Sequence, residues 1–190
     1  METTKKQIFN HYATLLSYPG DGIETELQRC RDLLAEDCSQ AAQDLEPLLA
    51  FLAWEGKGRL EELYTATFDL RPSCCPYVAV HLCGESRART LFLLKLKDLY
   101  REYGFASGAD LGDHIGVMLR FVACNPDAAG SREIIEDALL PALERMTASF
   151  AEDAEQPYGA LLRSLQNYLN EALSGPQAIA GKEEVTACRI

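Results

Sequence analysis

Apolar residues recur at helical spacing from residue 8 to residue 169, and that periodicity most constrains the fold. Ile8, Phe9, Tyr12, Leu15 and Leu16 share one face, and "SYPGDG" stops that helix with Pro and Gly. Ile23, Leu27, Cys30, Leu33 and Leu34 form a second stripe. Leu45, Leu48, Leu49 and Leu52 form a third, ending near Trp54 and the glycines of "EGKG". Leu60, Leu63, Tyr64, Thr67 and Phe68 form a fourth, which breaks at Arg71-Pro72-Ser73-Cys74-Cys75-Pro76.

The segment "YVAVHL" follows the break. Val and Tyr favour strands, but the chain offers no other strand to pair with, and Pro76 suits a first helical turn. A short buried helix is the expectation. From Ser86 to Tyr103 the pattern predicts a helix with Leu91, Leu94, Leu99, Tyr100 and Tyr103 inward. Arg87, Arg89, Lys95, Lys97 and Arg101 fall mostly outward, and Gly104 is the stop. Asp113 is a natural N-cap for a helix carrying Met118, Leu119 and Val122, which stops before Asn125-Pro126. Ser131 can cap a helix through Ile134, Ile135, Ala138, Leu139, Leu143 and Met146, kinked at Pro141. A last helix runs from Pro157 through Tyr158, Leu161, Leu162, Leu165, Tyr168 and Leu169. The sum is an all-α bundle of eight or nine helices, one domain over residues 1–173, with 174–190 expected to be a loose tail.

The chain has 190 residues and a formal charge of -11. That balance disfavours nucleic acid, which demands a Lys/Arg surplus on at least one face, and suits a cationic partner. No stretch approaches the roughly 18 apolar residues of a membrane span, and the start has no apolar run of signal-peptide length. A cytoplasmic protein is therefore expected, with its seven cysteines mostly free thiols.

The residues that could carry chemistry cluster around the break. Cys74, Cys75, Cys83 and His81 could offer thiolate and imidazole ligands to zinc or a redox centre. Adjacent cysteines rarely ligate one ion, however, and no C-x-x-C motif exists. Small buried hydrophobes are the plainer reading. His81 lies on a largely apolar segment, where it either satisfies a backbone group or shapes a binding surface. His114, beside Asp113 in a first helical turn, should have a lowered pKa and reach a ligand from a loop-helix junction. Asp69 ends a helix, where a carboxylate meets the negative end of the dipole. It needs Arg71, Arg87 or a basic partner in compensation. No nucleophile motif, phosphate loop or H-E-x-x-H is present, which argues against an enzyme.

Thr67, Phe68 and Asp69, then Tyr77, His81 and Gly84, then Arg89, Tyr100 and Gly104, and finally Asp113 and His114 carry a resemblance. In that order and context they resemble the NarJ branch of the TorD/DmsD family of molybdenum-enzyme maturation chaperones. Glu85, Thr90 and Gly112 depart from that pattern, and the double cysteine is outside it. The resemblance implies a chaperone with no resident cofactor or metal. Its partners would be the N-terminal peptide and apo form of a molybdoenzyme catalytic subunit, foremost the respiratory nitrate reductase α subunit. Selenate, chlorate, dimethyl sulfide and DMSO-type enzymes are the alternative clients. Monomer and dimer both stay open. The client peptide is expected in a groove near Tyr64, Phe68, Asp69, Tyr77, His81, Asp113 and His114.

Overall fold

In a computed structural model of the chain, the residues described are 2–70, 74–125, 129–153 and 155–174. They form an all-α architecture. The helices are α1 (Glu2–Leu15), α2 (Ile23–Asp37), α3 (Ser39–Gln43), α4 (Glu46–Tyr64), α5 (Val78–Cys83) and α6 (Arg87–Glu102), followed by α7 (Ile115–Cys124), α8 (Ala129–Ile134), α9 (Leu140–Ala148) and α10 (Pro157–Ser174). Two π-helical turns, Thr65–Asp69 and Ile135–Leu139, continue α4 and join α8 to α9. The breaks expected at Arg71-Pro72-Ser73 and Pro126 and the tail expected after Ser174 lie outside the described residues.

The stripes read from the sequence bury as helical spacing requires. Ile8, Phe9, Tyr12, Leu15 and Leu16 of the first stripe are all at most 2% exposed. They pack α1 against α7 and α2. Tyr158, Leu161, Leu162, Leu165, Tyr168 and Leu169 turn the apolar face of α10 onto α9, α3 and α4. Each such side chain contributes about 1.5–3 kcal/mol by leaving water. One polar relay ties the layers together. The hydroxyls of Tyr12 and Ser164 lie 2.6 Å apart, and Ser164 donates to the carbonyl of Ala41 at 2.6 Å.

The glycines of "EGKG" interrupt the helix as expected: Gly56 takes φ 78° and ψ 175°, a non-helical conformation open to glycine, so the third and fourth stripes lie on two helical segments that meet at a kink within α4. Trp54, just before the kink, is 88% exposed. Other expectations change. Ser131 does not cap; it is buried inside α8. Pro141 cannot donate to the carbonyl four residues back, and the π-helical turn Ile135–Leu139 absorbs that mismatch. On α6 the inner face is Phe92, Leu96, Leu99, Tyr100 and Tyr103, while Leu91 and Leu94 are each more than half exposed. Ser86 caps α6, its Oγ accepting from Ala88 N–H at 3.2 Å. Among the described residues no helix is long and apolar enough to cross a membrane.

Candidate functional site

Two loops cross where α5 and α7 begin. Val78 N–H donates to the Asp113 carbonyl and Ile115 N–H donates to the Pro76 carbonyl, both at 2.8 Å. This lone antiparallel bridge pairs Tyr77 with His114. "YVAVHL" is thus helical from Val78, as expected, with Tyr77 in a strand-like conformation before it. Pro76 sits in the bridge, outside the first helical turn expected of it.

Asp113 is not the cap of α7. Its side chain is fully buried, and Arg89 of α6 donates to it from Nε at 3.1 Å. Arg89 also pairs with Glu85, and its guanidinium carbon lies 5.4 Å from the Tyr77 ring centroid. The second carboxylate oxygen, Oδ1, has no hydrogen-bond partner. Arg89 is therefore turned inward, against the sequence reading, because a buried carboxylate demands a charged partner. Tyr100 of the same helix donates to the Gly112 carbonyl at 2.9 Å and holds the loop from its other side.

The cap of α7 is His114. Its Nδ1 accepts from Gly116 N–H at 3.1 Å, satisfying one orphan donor of the first turn. An accepting Nδ1 places the proton of the neutral ring on Nε2. Burial is the main cause that holds its pKa below the ordinary 6.5, and Arg120 adds to it. The ring meets Tyr77 edge-on at 5.7 Å.

A second cluster adjoins the first. Tyr64, Phe68 and Tyr158 pack ring against ring at 4.9–5.7 Å, and Tyr18 lies 5.5 Å from Tyr64. Tyr64 joins the clusters. Its pKa is pushed up to about 12, first by burial, then by Asp69, Tyr77 and Asp110 nearby. Asp69 ends the π-helical turn and is exposed, and it makes no ion pair among the described residues. Arg71, one compensator expected for it, lies outside them.

His81 faces elsewhere. Its Nε2 donates to the carbonyl of Cys75 at 2.7 Å and clasps the loop before α5. Burial lowers its pKa. Arg145 of α9 donates to the carbonyls of His81 and Leu82, fixing the end of α5. Cys75 Sγ is 3.8 Å from His81 Nε2, Cys74 is buried and Cys83 donates to the Ala79 carbonyl at 3.1 Å. Among the described residues no three His, Cys, Asp or Glu side chains are grouped to hold a metal ion.

The seven expected residues therefore divide. Tyr77, Asp113 and His114 form one cluster; Tyr64 and Phe68 form the adjoining aromatic wall. Asp69 lies on the rim, and His81 is a clasp behind the loop. Sequence reasoning placed Arg89 outside the site. Its only signal there was the family resemblance, since its partner is 24 residues away in the chain.

The helical bundle has a counterpart among solved structures. It is similar to a crystal structure from Archaeoglobus fulgidus described as a redox enzyme maturation protein, with a TM-score of 0.58 over 87% of this chain and 93% of that one. At 20% identity that likeness is one of fold. The chain belongs to the nitrate reductase delta subunit family, whose model matches residues 32–175. It is also similar to the "Probable nitrate reductase molybdenum cofactor assembly chaperone NarJ" of Bacillus subtilis (strain 168). The two are 33% identical over 170 residues, covering 87% of this chain and 90% of that protein.

Proposed function

We propose that this protein is a cytoplasmic assembly chaperone for nitrate reductase. It binds the N-terminal peptide of the catalytic subunit and keeps the apoenzyme open for insertion of the molybdenum cofactor. The work is binding and release, with no bond made or broken by the chaperone.

The observation that carries this reading is the bridge between Tyr77 and His114, because it fixes a half-buried aromatic edge beside the ring wall of Tyr64 and Phe68. Tyr64 and Phe68 are buried and support that edge from within; the half-buried Tyr77 and the exposed Tyr18 are the rings that an apolar peptide face can meet. Asp69 adds an exposed negative charge at the rim, suited to steering a basic segment. Asp113, His81 and Phe68 act from behind. Asp113 orients Arg89, His81 holds the loop, and Phe68 backs Tyr64.

Calorimetric titration with a synthetic peptide of the catalytic subunit's N-terminus tests the proposal. Saturable heat is expected, weakened in Tyr77→Ala and Asp69→Ala while their urea midpoints stay near that of the parent. No heat from that peptide, and none from the N-termini of other molybdenum enzymes of the organism, would overturn it.

A further inference from the structure

α6 has a side that the fold does not use. Leu91 and Leu94 are 54% and 53% exposed. Three residues apart on a helix, they share one strip of its surface. That strip lies on the far side from Leu96 and Tyr100, which are buried, and from Arg89, which reaches Asp113. Arg87 and Lys95 stand four residues before and after Leu91, and Lys97 stands three after Leu94. All three cations are exposed, so each leucine has charged neighbours on the helix surface.

Those charges have no use inside the protein. Arg87, Lys95 and Lys97 make no ion pair among the described residues. Arg101 pairs with Asp98 at 2.7 Å, and Arg89 is taken by Glu85 and Asp113. Four exposed bases against the exposed acids Asp98 and Glu102 leave the outer side of α6 at +2, in a chain of -11. Positive charge gathered against the overall sign, around apolar side chains on a surface helix, fits an anionic and partly apolar surface.

We propose that the outer face of α6 docks on anionic lipid at a membrane surface, lying along it without crossing. Leu91 and Leu94 enter the boundary between headgroups and acyl chains. Arg87, Lys95 and Lys97 carry their charges on long apolar stems to the lipid phosphates beside them. With only two buried residues, α6 stands out as a ridge, and a ridge lies flat on a plane, whereas a partner helix is held in a groove. Two leucines are too few for a firm anchor, and the net charge opposes an anionic bilayer. Contact is therefore short-ranged, reversible and sensitive to salt. The inference goes beyond the chaperone reading and does not depend on it. The face is turned away from Arg89 and Tyr100, so contact there leaves the latches of the candidate site in place.

Cosedimentation of the full chain with vesicles tests it. The parent should pellet with vesicles of phosphatidylglycerol and phosphatidylcholine in equal parts. It should stay in solution with phosphatidylcholine alone, and high salt should release it. Lys95→Glu/Lys97→Glu and Leu91→Ala/Leu94→Ala should each weaken binding about tenfold or more, with urea midpoints near that of the parent showing that both variants fold. A parent that ignores the anionic vesicles overturns the proposal, and so does either variant if it is folded and binds as the parent does. A parent that ignores them yet binds soluble polyglutamate through Lys95 and Lys97 overturns it in favour of an acidic protein partner.

Discussion

α6 and α7 both reach the candidate site, and they are held in opposite ways. α7 has 10 residues, and eight of them, from Ile115 to Ala123, are buried. α6 has 16 residues, of which only Leu96 and Tyr100 are buried. The shorter helix is a core element that carries His114 at its tip. The longer one rides on the surface, latched by Arg89 to Asp113 and by Tyr100 to Gly112. The contrast teaches that the site has a rigid side and a tethered side. Its geometry depends on polar latches more than on packed area.

The largest effect expected is on the rigid side. Phe121→Ala removes a ring that meets Tyr100, Tyr103 and Phe105. It should lower stability by about 3–5 kcal/mol in urea unfolding. A loss below about 1 kcal/mol would break the distinction between the helices. Next comes the latch. Arg89→Ala strands a buried carboxylate and should cost about 3 kcal/mol. Arg89→Ala/Asp113→Asn should recover more than about 1 kcal/mol of that, because an amide tolerates burial better than an unpaired charge. A double variant no more stable than the single one would show that the pair is not the latch.

A smaller effect concerns pH. His114 and His81 both titrate below 6.5 in the folded protein, each mainly through burial. Between the folded pKa values and 6.5 the unfolded chain binds more protons, so stability rises with pH across that window and is complete above it. Urea midpoints should fall as pH drops below 6.5. His114→Asn, which keeps a capping oxygen but does not titrate, should flatten that fall. An unchanged slope would remove His114 from the account. The smallest effect sharpens the comparison from the surface side. Leu91→Ala and Leu94→Ala on the outer face of α6 should each shift stability by less than about 0.5 kcal/mol.

Helix type and core stripes were legible wherever apolar residues occupy a single face. α1 and α10 show this, since their stripes leave no second choice of buried side. α6 was not legible in the same way. Its run Leu91-Phe92-Leu93-Leu94 wraps all sides of a helix, so two apolar stripes compete. Packing against the core decides for Phe92, Leu96, Leu99 and Tyr103, the last of which meets Phe121 edge-on. Caps were read by residue type alone. Asp113 looks the better cap, but a carboxylate wanted by Arg89 leaves the role to its neighbour. The candidate residues came from local chemistry and the family resemblance, and only the structure gave their neighbours. Long-range pairs such as Arg89 with Asp113, or Tyr18 with Tyr64, have no local signature.

Trp54 has a practical consequence. It is the chain's single tryptophan, and 88% of it already meets water in the folded protein. Its emission should therefore be red and nearly indifferent to unfolding. The optical signature of folding sits instead in buried tyrosines such as Tyr12, Tyr158 and Tyr168. A blue shift at 295 nm excitation would then mean that something has covered the outer side of α4. The protein carries its own reporter of company, almost blind to its own integrity.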